Sequence, residues 1–368
     1  MANVTYVFTQ NRKEKYEKNL IEAREFYYGL PFIDPNQNDI KVIEFNNSPS
    51  TFFWFIEFFE NIVRRIFSLP IYTSKLLSKN NIKIFKQTEQ LILIPESTGF
   101  SALWMLIFLK KKYKITTHLF VMGLYSKKLK FPSMKHIHFY LIRVLISYID
   151  NVFFLGEGEY KKALKIHNQP NKFHFFPFSI DTEFWSEEKI KLEKNNQIVF
   201  VGNDGNRDYE LLSNIAKKLK DFDFVFISEN ENLQNINSEN IHTINGSWGN
   251  LEITDEHLKK IYLNSRLCIL PLKNSTQPSG QSVALQCMSL GLPVLISRTD
   301  GFWDPKNLND KKEIFFIENT IESWVDKIND LYYDLDSLEK VSSKAKKVVK
   351  ENYNLNLFNN RLKKYLNI

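Results

Sequence analysis

The chain has 368 residues, 43% of them apolar and 25% charged, so it can bury a sizeable core and is long enough for two. Its net charge of +7 is uneven: residues 1–185 hold 25 Lys and Arg against 16 Asp and Glu, and residues 186–368 hold 24 against 26. The two cysteines, Cys268 and Cys287, lack metal-ligand spacing and read as small buried hydrophobes in a reducing cytoplasm. A disulfide framework and a cysteine metal site are thereby excluded.

In chain order the first half opens with a strand, Val4–Phe8, and a charged helix from about Arg12 to Tyr28. A strand over Ile40–Phe45 leads into the aromatic-rich Phe52–Leu69. There Glu57, Glu60, Asn61, Arg64, Arg65 and Ser68 recur at helical spacing and form one polar stripe. Such a helix is expected to be buried between the sheet and its neighbours, with a helix lying on a membrane surface as the alternative. Leu91–Ile94, His118–Met122, Val152–Leu155 and Phe173–Phe176 are short apolar runs of buried-strand type. Helices over about Gly99–Lys110 and Ile137–Ile149 separate three of them.

Glu187–Asn196 is a charged linker, after which the alternation restarts. Strands are predicted at Ile198–Val201, Phe222–Ile227, Leu267–Leu270 and Val294–Ser297. Helices are predicted at Tyr209–Leu219, Asp255–Asn264, Gln281–Leu290, Ile321–Leu331 and Leu338–Lys350. The pattern is α/β, giving two Rossmann-like domains expected to face each other across a cleft. Domain bounds are set at 1–186 and 187–350, with a C-terminal helix in 351–368 packing back on the first domain. No run of about 18 apolar residues is present, and Asn11–Lys18 is mostly charged, so neither a membrane-spanning helix nor a signal peptide is expected.

Two loops point to chemistry. Ser279, Gly280, Gln281 and Ser282 open the helix Gln281–Leu290. A helix N-terminus offers unpaired N–H groups and a positive dipole end to an anion. The same residues also suit an ordinary turn before a core helix. The loop Gly202-Asn203-Asp204-Gly205-Asn206-Arg207 follows a strand and precedes a helix, and Arg207 presents a fork for phosphate oxygens. Its spacing meets neither the dinucleotide fingerprint nor the Walker loop. With both loops at carboxyl ends of strands, the anion reading of the first is favoured.

Here the sequence resembles a known family. VGNDGNRDYELL, followed about seventy residues later by PSGQSVALQCMSLGLPVLISRTDGFWD, resembles retaining glycosyltransferases of the GT-B fold, family four (glycosyl transferases group 1). Ile149–Leu155 and Phe176–Trp185 resemble weaker signatures of the same family. The resemblance implies a nucleoside-diphosphate-sugar donor held by Gly202, Asn203, Arg207, Ser279, Gly280, Gln281, Ser282 and Gln286. Arg207 fills the place of a Lys that neutralises the leaving diphosphate. Asn203 stands where the family has an Arg, and Pro278 and Gln286 stand where it has paired glutamates. The implied mechanism needs no protein nucleophile, no metal and no cofactor beyond the donor.

Ser228, Glu229 and Trp248 are candidates for a nucleobase pocket, and Glu96 and His118 for the acceptor side. The basic first half, with nine bases and one acid in residues 101–150, favours a glycan or lipid-linked acceptor and contact with an anionic membrane at the inner face. No nucleic-acid motif accompanies the charge. The expected activity is hexosyl transfer in cell-surface polysaccharide synthesis. A catalytically silent sugar-nucleotide-binding protein is the alternative.

Overall fold

The computed structural model describes residues 2–46, 54–187, 197–236, 238–246 and 253–368. They form two units, each around a six-stranded parallel sheet. The first comprises residues 1–21, 29–176 and 360–368, and the second 22–28 and 177–359. The boundary thus falls at residue 176 rather than 186. Residues 22–28 leave the unit that surrounds them in sequence and build into the other.

The first sheet contains β1 (Ala2–Phe8), β2 (Asn38–Glu44), β3 (Gln90–Leu93), β4 (Thr116–Val121), β5 (Asn151–Phe154) and β6 (Phe173–Phe175). Its order is β2-β1-β3-β4-β5-β6. The second contains β7 (Gln197–Val201), β8 (Asp223–Ile227), β9 (Ile241–Ile244), β10 (Ser265–Leu270), β11 (Val294–Ser297) and β12 (Phe315–Ile317), ordered β12-β11-β10-β7-β8-β9. β9 and β12 have no counterpart in the sequence reading, because Ile241–Ile244 is half polar and Phe315–Ile317 is three residues long. Central strands such as β3, β10 and β11 are buried at every position, which explains the apolar runs Leu91–Leu93, Leu267–Leu270 and Val294–Ile296 within them. In both sheets the chain winds outward in one direction and then in the other. The order reverses between β1 and β3 in the first unit and between β7 and β10 in the second. Ligand crevices of open α/β sheets form at such reversals, beyond the strands' carboxyl ends.

Two expectations are corrected here. The charged helix expected from Arg12 to Tyr28 shrinks to Lys13–Glu17, followed by 3₁₀ turns at Glu25–Tyr27 and Leu30–Phe32. Asn19 and Tyr28 both adopt left-handed backbone and break the helix. The helix Trp54–Phe67 is not buried between sheet and neighbours; it lies on the surface, with Glu60 and Arg64 of its polar stripe turned inward and Asn61 and Arg65 exposed. Glu60 is 5% exposed and accepts from Ser74 N at 2.9 Å and Ser74 Oγ at 2.7 Å. Arg64 lies 4.4 Å over the Tyr72 ring and donates to the Ile71 carbonyl. Its opposite face leaves Trp54, Phe55, Phe58 and Phe59 more than half exposed. Among the described residues, four helices have no counterpart in the sequence reading: Thr73–Leu76, Lys79–Gln87, Glu157–His167 and Glu231–Gln234.

At the C-terminus, helix Leu355–Leu366 supplies residues 360–368 to the first unit, where Tyr365 packs on Phe153 and His174. Among the described residues, no helix is long and apolar enough to cross a membrane.

Candidate active site

The reversal between β7 and β10 carries both predicted loops. β7 ends at Val201 and delivers Gly202–Arg207; β10 ends at Leu270 and delivers 271–280. The two run side by side. Lys273 N donates to the Asn206 carbonyl at 2.8 Å, Asp208 N donates to the Pro271 carbonyl at 2.9 Å, and Arg207 forms an antiparallel bridge with Leu272. Side chains complete the junction: the Asn206 amide donates to Gln277 Oε1 at 3.0 Å and to Ser279 Oγ at 2.9 Å. Asp208 then caps the helix Tyr209–Lys218 by accepting from Leu211 N.

Arg207 is the centre of this arrangement. It is 3% exposed, and its guanidinium passes between two glycines. A Cβ on Gly202 would lie 2.1 Å from Nε, and one on Gly280 would lie 2.9 Å from Nη1. Among the described residues, neither Nε nor Nη1 has a hydrogen-bond partner, although the Asp204 carboxylate sits 3.4 Å from Nε. A buried cation with two unmet donors is costly unless an anion completes it. Gly280, at φ +78°, is the N-cap of helix Gln281–Leu290, and no side chain caps that end. The dipole and first-turn N–H groups of the helix therefore open beside the guanidinium. A fixed cation, a helix N-terminus and glycine-lined walls together suit a phosphate or diphosphate.

Residues 195–334, which contain the whole of this site, match the model of glycosyl transferases group 1. Two Rossmann-like units in one chain are the GT-B architecture, and solved structures share it. Anabaena HepE, solved in complex with UDP-glucose, is 9% identical with all of both chains covered and a TM-score of 0.67. Sucrose-phosphate synthase from Thermosynechococcus elongatus is 9% identical over 100% of this chain and 98% of its own, with a TM-score of 0.69. A glycosyltransferase from Rickettsia africae is 14% identical over 99% and 98%, with a TM-score of 0.60. At these identities the likeness is one of fold. No curated protein matches the chain in sequence.

Other predicted site residues of the second unit are engaged within the protein. The Asn203 amide donates to the Gly246 carbonyl at 2.9 Å and accepts from Ser228 Oγ at 2.9 Å and Glu229 N at 2.6 Å. Ser228 is fully buried, and its single hydroxyl hydrogen is shared between Asn203 Oδ1 and the Gly202 carbonyl, the latter at 2.8 Å. Asn203 and Ser228 thus brace the ends of β7 and β8 and the segment after β9, whereas the Glu229 side chain is exposed. Trp248 lies outside the described residues. Ser279 and Gln281 are buried and Ser282 half-buried at the helix start.

Gln286 lies deeper, 2% exposed. It accepts from the Tyr262 hydroxyl at 3.3 Å and donates to Glu25 Oε1 at 2.9 Å. Glu25, which the sequence reading missed, also accepts from Trp185 Nε1 at 2.7 Å. Burial pushes its carboxyl up to about 7 against the pull of these donors. A carboxyl group therefore does stand beside Gln286, delivered from residue 25. Arg24, next to it, is held by Asp181 at 2.6 Å and by Glu183 at 2.6 Å.

In the first unit, Glu96 opens the helix Glu96–Lys112 beside the reversal of that sheet. It is 6% exposed, accepts from Met122 N at 3.0 Å and lies 3.9 Å from Lys127. Glu159, fully buried, accepts from Gly123 N at 2.9 Å and Tyr125 N at 2.8 Å. Burial, with the nearby Glu96 charge, raises its carboxyl to about 8. Two buried carboxyls thus pin the loop after β4, and the sequence reading found only Glu96.

His118 is a core residue and not an acceptor contact. It has no exposed surface, contacts Gln90 Oε1 at 2.9 Å and Asn151 Nδ2 at 3.3 Å, and stacks on Phe153. Gln90 and Asn151 begin their strands, so this ladder sits at the opposite end of the sheet from Glu96. Burial lowers the imidazole to about 4 and keeps it neutral.

Proposed function

We propose that this protein is a retaining hexosyltransferase. It takes a nucleoside-diphosphate sugar, with a uridine nucleotide the first choice, and passes the sugar to a glycan or lipid-linked acceptor in surface polysaccharide synthesis. It works in the cytoplasm, at the inner face of the membrane, and needs no cofactor beyond the donor. The observation that supports this reading most is Arg207, buried with two unmet N–H donors between Gly202 and Gly280. The uridine choice is supported by Anabaena HepE, a fold neighbour solved with UDP-glucose.

In this reading an acceptor hydroxyl oxygen bonds to the anomeric carbon as the bond from that carbon to the diphosphate breaks. The hydroxyl proton passes to the departing phosphate oxygen, and the new bond forms on the face the leaving group vacates. Arg207 and the first turn of helix Gln281–Leu290 stabilise the charge that grows on the diphosphate. Their fixed placement means little reorganisation is needed as it grows. The test is UDP release from a panel of UDP-hexoses, with and without glycan acceptors. Arg207→Ala is expected to lower turnover by roughly 10²-fold or more; turnover near that of the wild type would refute the role given to Arg207.

The internal engagement of Asn203 and Gln286, with Pro278 at the third family position, supports a second reading. There the site binds a sugar nucleotide without turning it over. Binding with no UDP release from any donor, with or without acceptor, selects that reading.

A further inference from the structure

The helix Trp54–Phe67 is built inside out for a water-soluble surface. Its polar residues Glu60 and Arg64 face the protein, as described above, while Trp54 (67% exposed), Phe55 (56%), Phe58 (54%), Phe59 (51%) and Ile62 (38%) face solvent. These five recur at positions i, i+1, i+4, i+5 and i+8, a single stripe along one side of the helix. Scattered exposed apolar residues are ordinary, but a contiguous stripe of four aromatics marks a surface that something covers. The inversion is also locked in place. Turning the stripe inward would strip Glu60 of its two bonds to Ser74 and Arg64 of its seat on Tyr72, leaving charges without partners.

The surroundings indicate what covers it. The segment from residue 124 to 147 contains no acidic residue. It is seated on the end of this helix, with His138 bonded to the Phe67 carbonyl at 2.6 Å and Lys130 N reaching Ser68 Oγ at 3.5 Å. On it Lys128, Lys130 and Lys135 are exposed, together with Phe131 and Ile137. Arg65 is exposed on the helix itself. Exposed aromatic rings on a helix whose C-terminal end abuts an acid-free basic segment match the two layers of a bilayer interface, acyl boundary and anionic headgroups.

We propose that this face docks on an anionic lipid bilayer. The aromatic stripe enters the headgroup region with the helix in the plane of the membrane, and Arg65, Lys128, Lys130 and Lys135 engage anionic headgroups. This extends the membrane side of the proposed function and is independent of the donor site.

The test is flotation of the full-length protein with phosphatidylcholine vesicles and with vesicles carrying about 30% phosphatidylglycerol, at low and physiological salt. The wild type should partition at least about tenfold more onto the anionic vesicles, with Trp54 emission shifting to shorter wavelength. Phe55→Ser/Phe59→Ser should lose binding to both compositions, and K128E/K130E should lose the preference for anionic lipid. All four altered side-chain positions are at the surface, so UDP binding should be unchanged, which separates failure here from failure of the donor assignment. No vesicle binding by the wild type, or equal binding by Phe55→Ser/Phe59→Ser, overturns the proposal. So does a wild-type dimer that becomes monomeric in that variant without any vesicle binding, because the stripe then belongs to a second copy of the chain.

Discussion

Gly202 and Arg207 occupy one another's space: the guanidinium fills the volume where a side chain on Gly202 would stand, with Nε 2.1 Å from that Cβ position. Gly280 confines the same group from the other side. The two loops at the sheet reversal therefore converge on one side chain, and each glycine is a condition for its placement. Gly280→Ala tests this. The left-handed backbone at φ +78° costs an alanine about 1 kcal/mol. Its methyl must also push Nη1 from 2.9 Å. The expected result is a small loss of stability in urea with a much larger, roughly tenfold or greater, loss of UDP affinity by calorimetry. Equal affinity would show that the guanidinium does not need this position.

Asn203 fixes the sheet ends, and its replacement should register first as lost stability. Asn203→Ala removes three hydrogen bonds and leaves the Glu229 N–H and Gly246 carbonyl to find new partners. A loss of roughly 1–3 kcal/mol is expected from denaturant unfolding. If unfolding is unchanged while donor affinity falls, Asn203 is a ligand contact and not a brace.

Glu25 predicts a pH dependence. Its carboxyl is raised from 4.5 to about 7 in the folded protein, so folding takes up a proton between those values. The stability it contributes is complete below about 4.5 and is lost as pH rises through about 7. The span is roughly 3 kcal/mol at most. Glu25→Gln keeps an acceptor for Trp185 and Gln286 without the charge. It should flatten this slope relative to wild type and unfold at a higher temperature above pH 8. An identical slope in wild type and Glu25→Gln would place the proton elsewhere.

Much of this architecture was legible in the sequence. β3, β10 and β11 contain short unbroken apolar runs because both faces of a parallel sheet are covered, and Gly202 and Gly280 mark the turns that leave it. The helix Trp54–Phe67 was legible as a helix but not in its facing. Periodicity gives the angle between polar and apolar stripes and says nothing of which one the protein keeps. Glu25 was invisible because its burial depends on residues 22–28 joining the second unit, a long-range choice that charged residues around it disguise. Glu159 was missed and His118 misplaced for a related reason. Their roles depend on which end of the sheet they occupy, and for His118 that is decided by strand register with Gln90 and Asn151.

Thermal unfolding of Arg207→Met with and without UDP shows most directly whether Arg207 is a buried cation held ready for the donor diphosphate. Removing a buried charge that lacks full compensation should leave the ligand-free protein as stable as wild type or more so. Adding UDP at about 100 times the wild-type Kd should stabilise the wild type by roughly 3 kcal/mol and leave the variant nearly unmoved. A variant that unfolds early without ligand yet gains the full UDP shift would make Arg207 a structural residue, with the anion bound elsewhere.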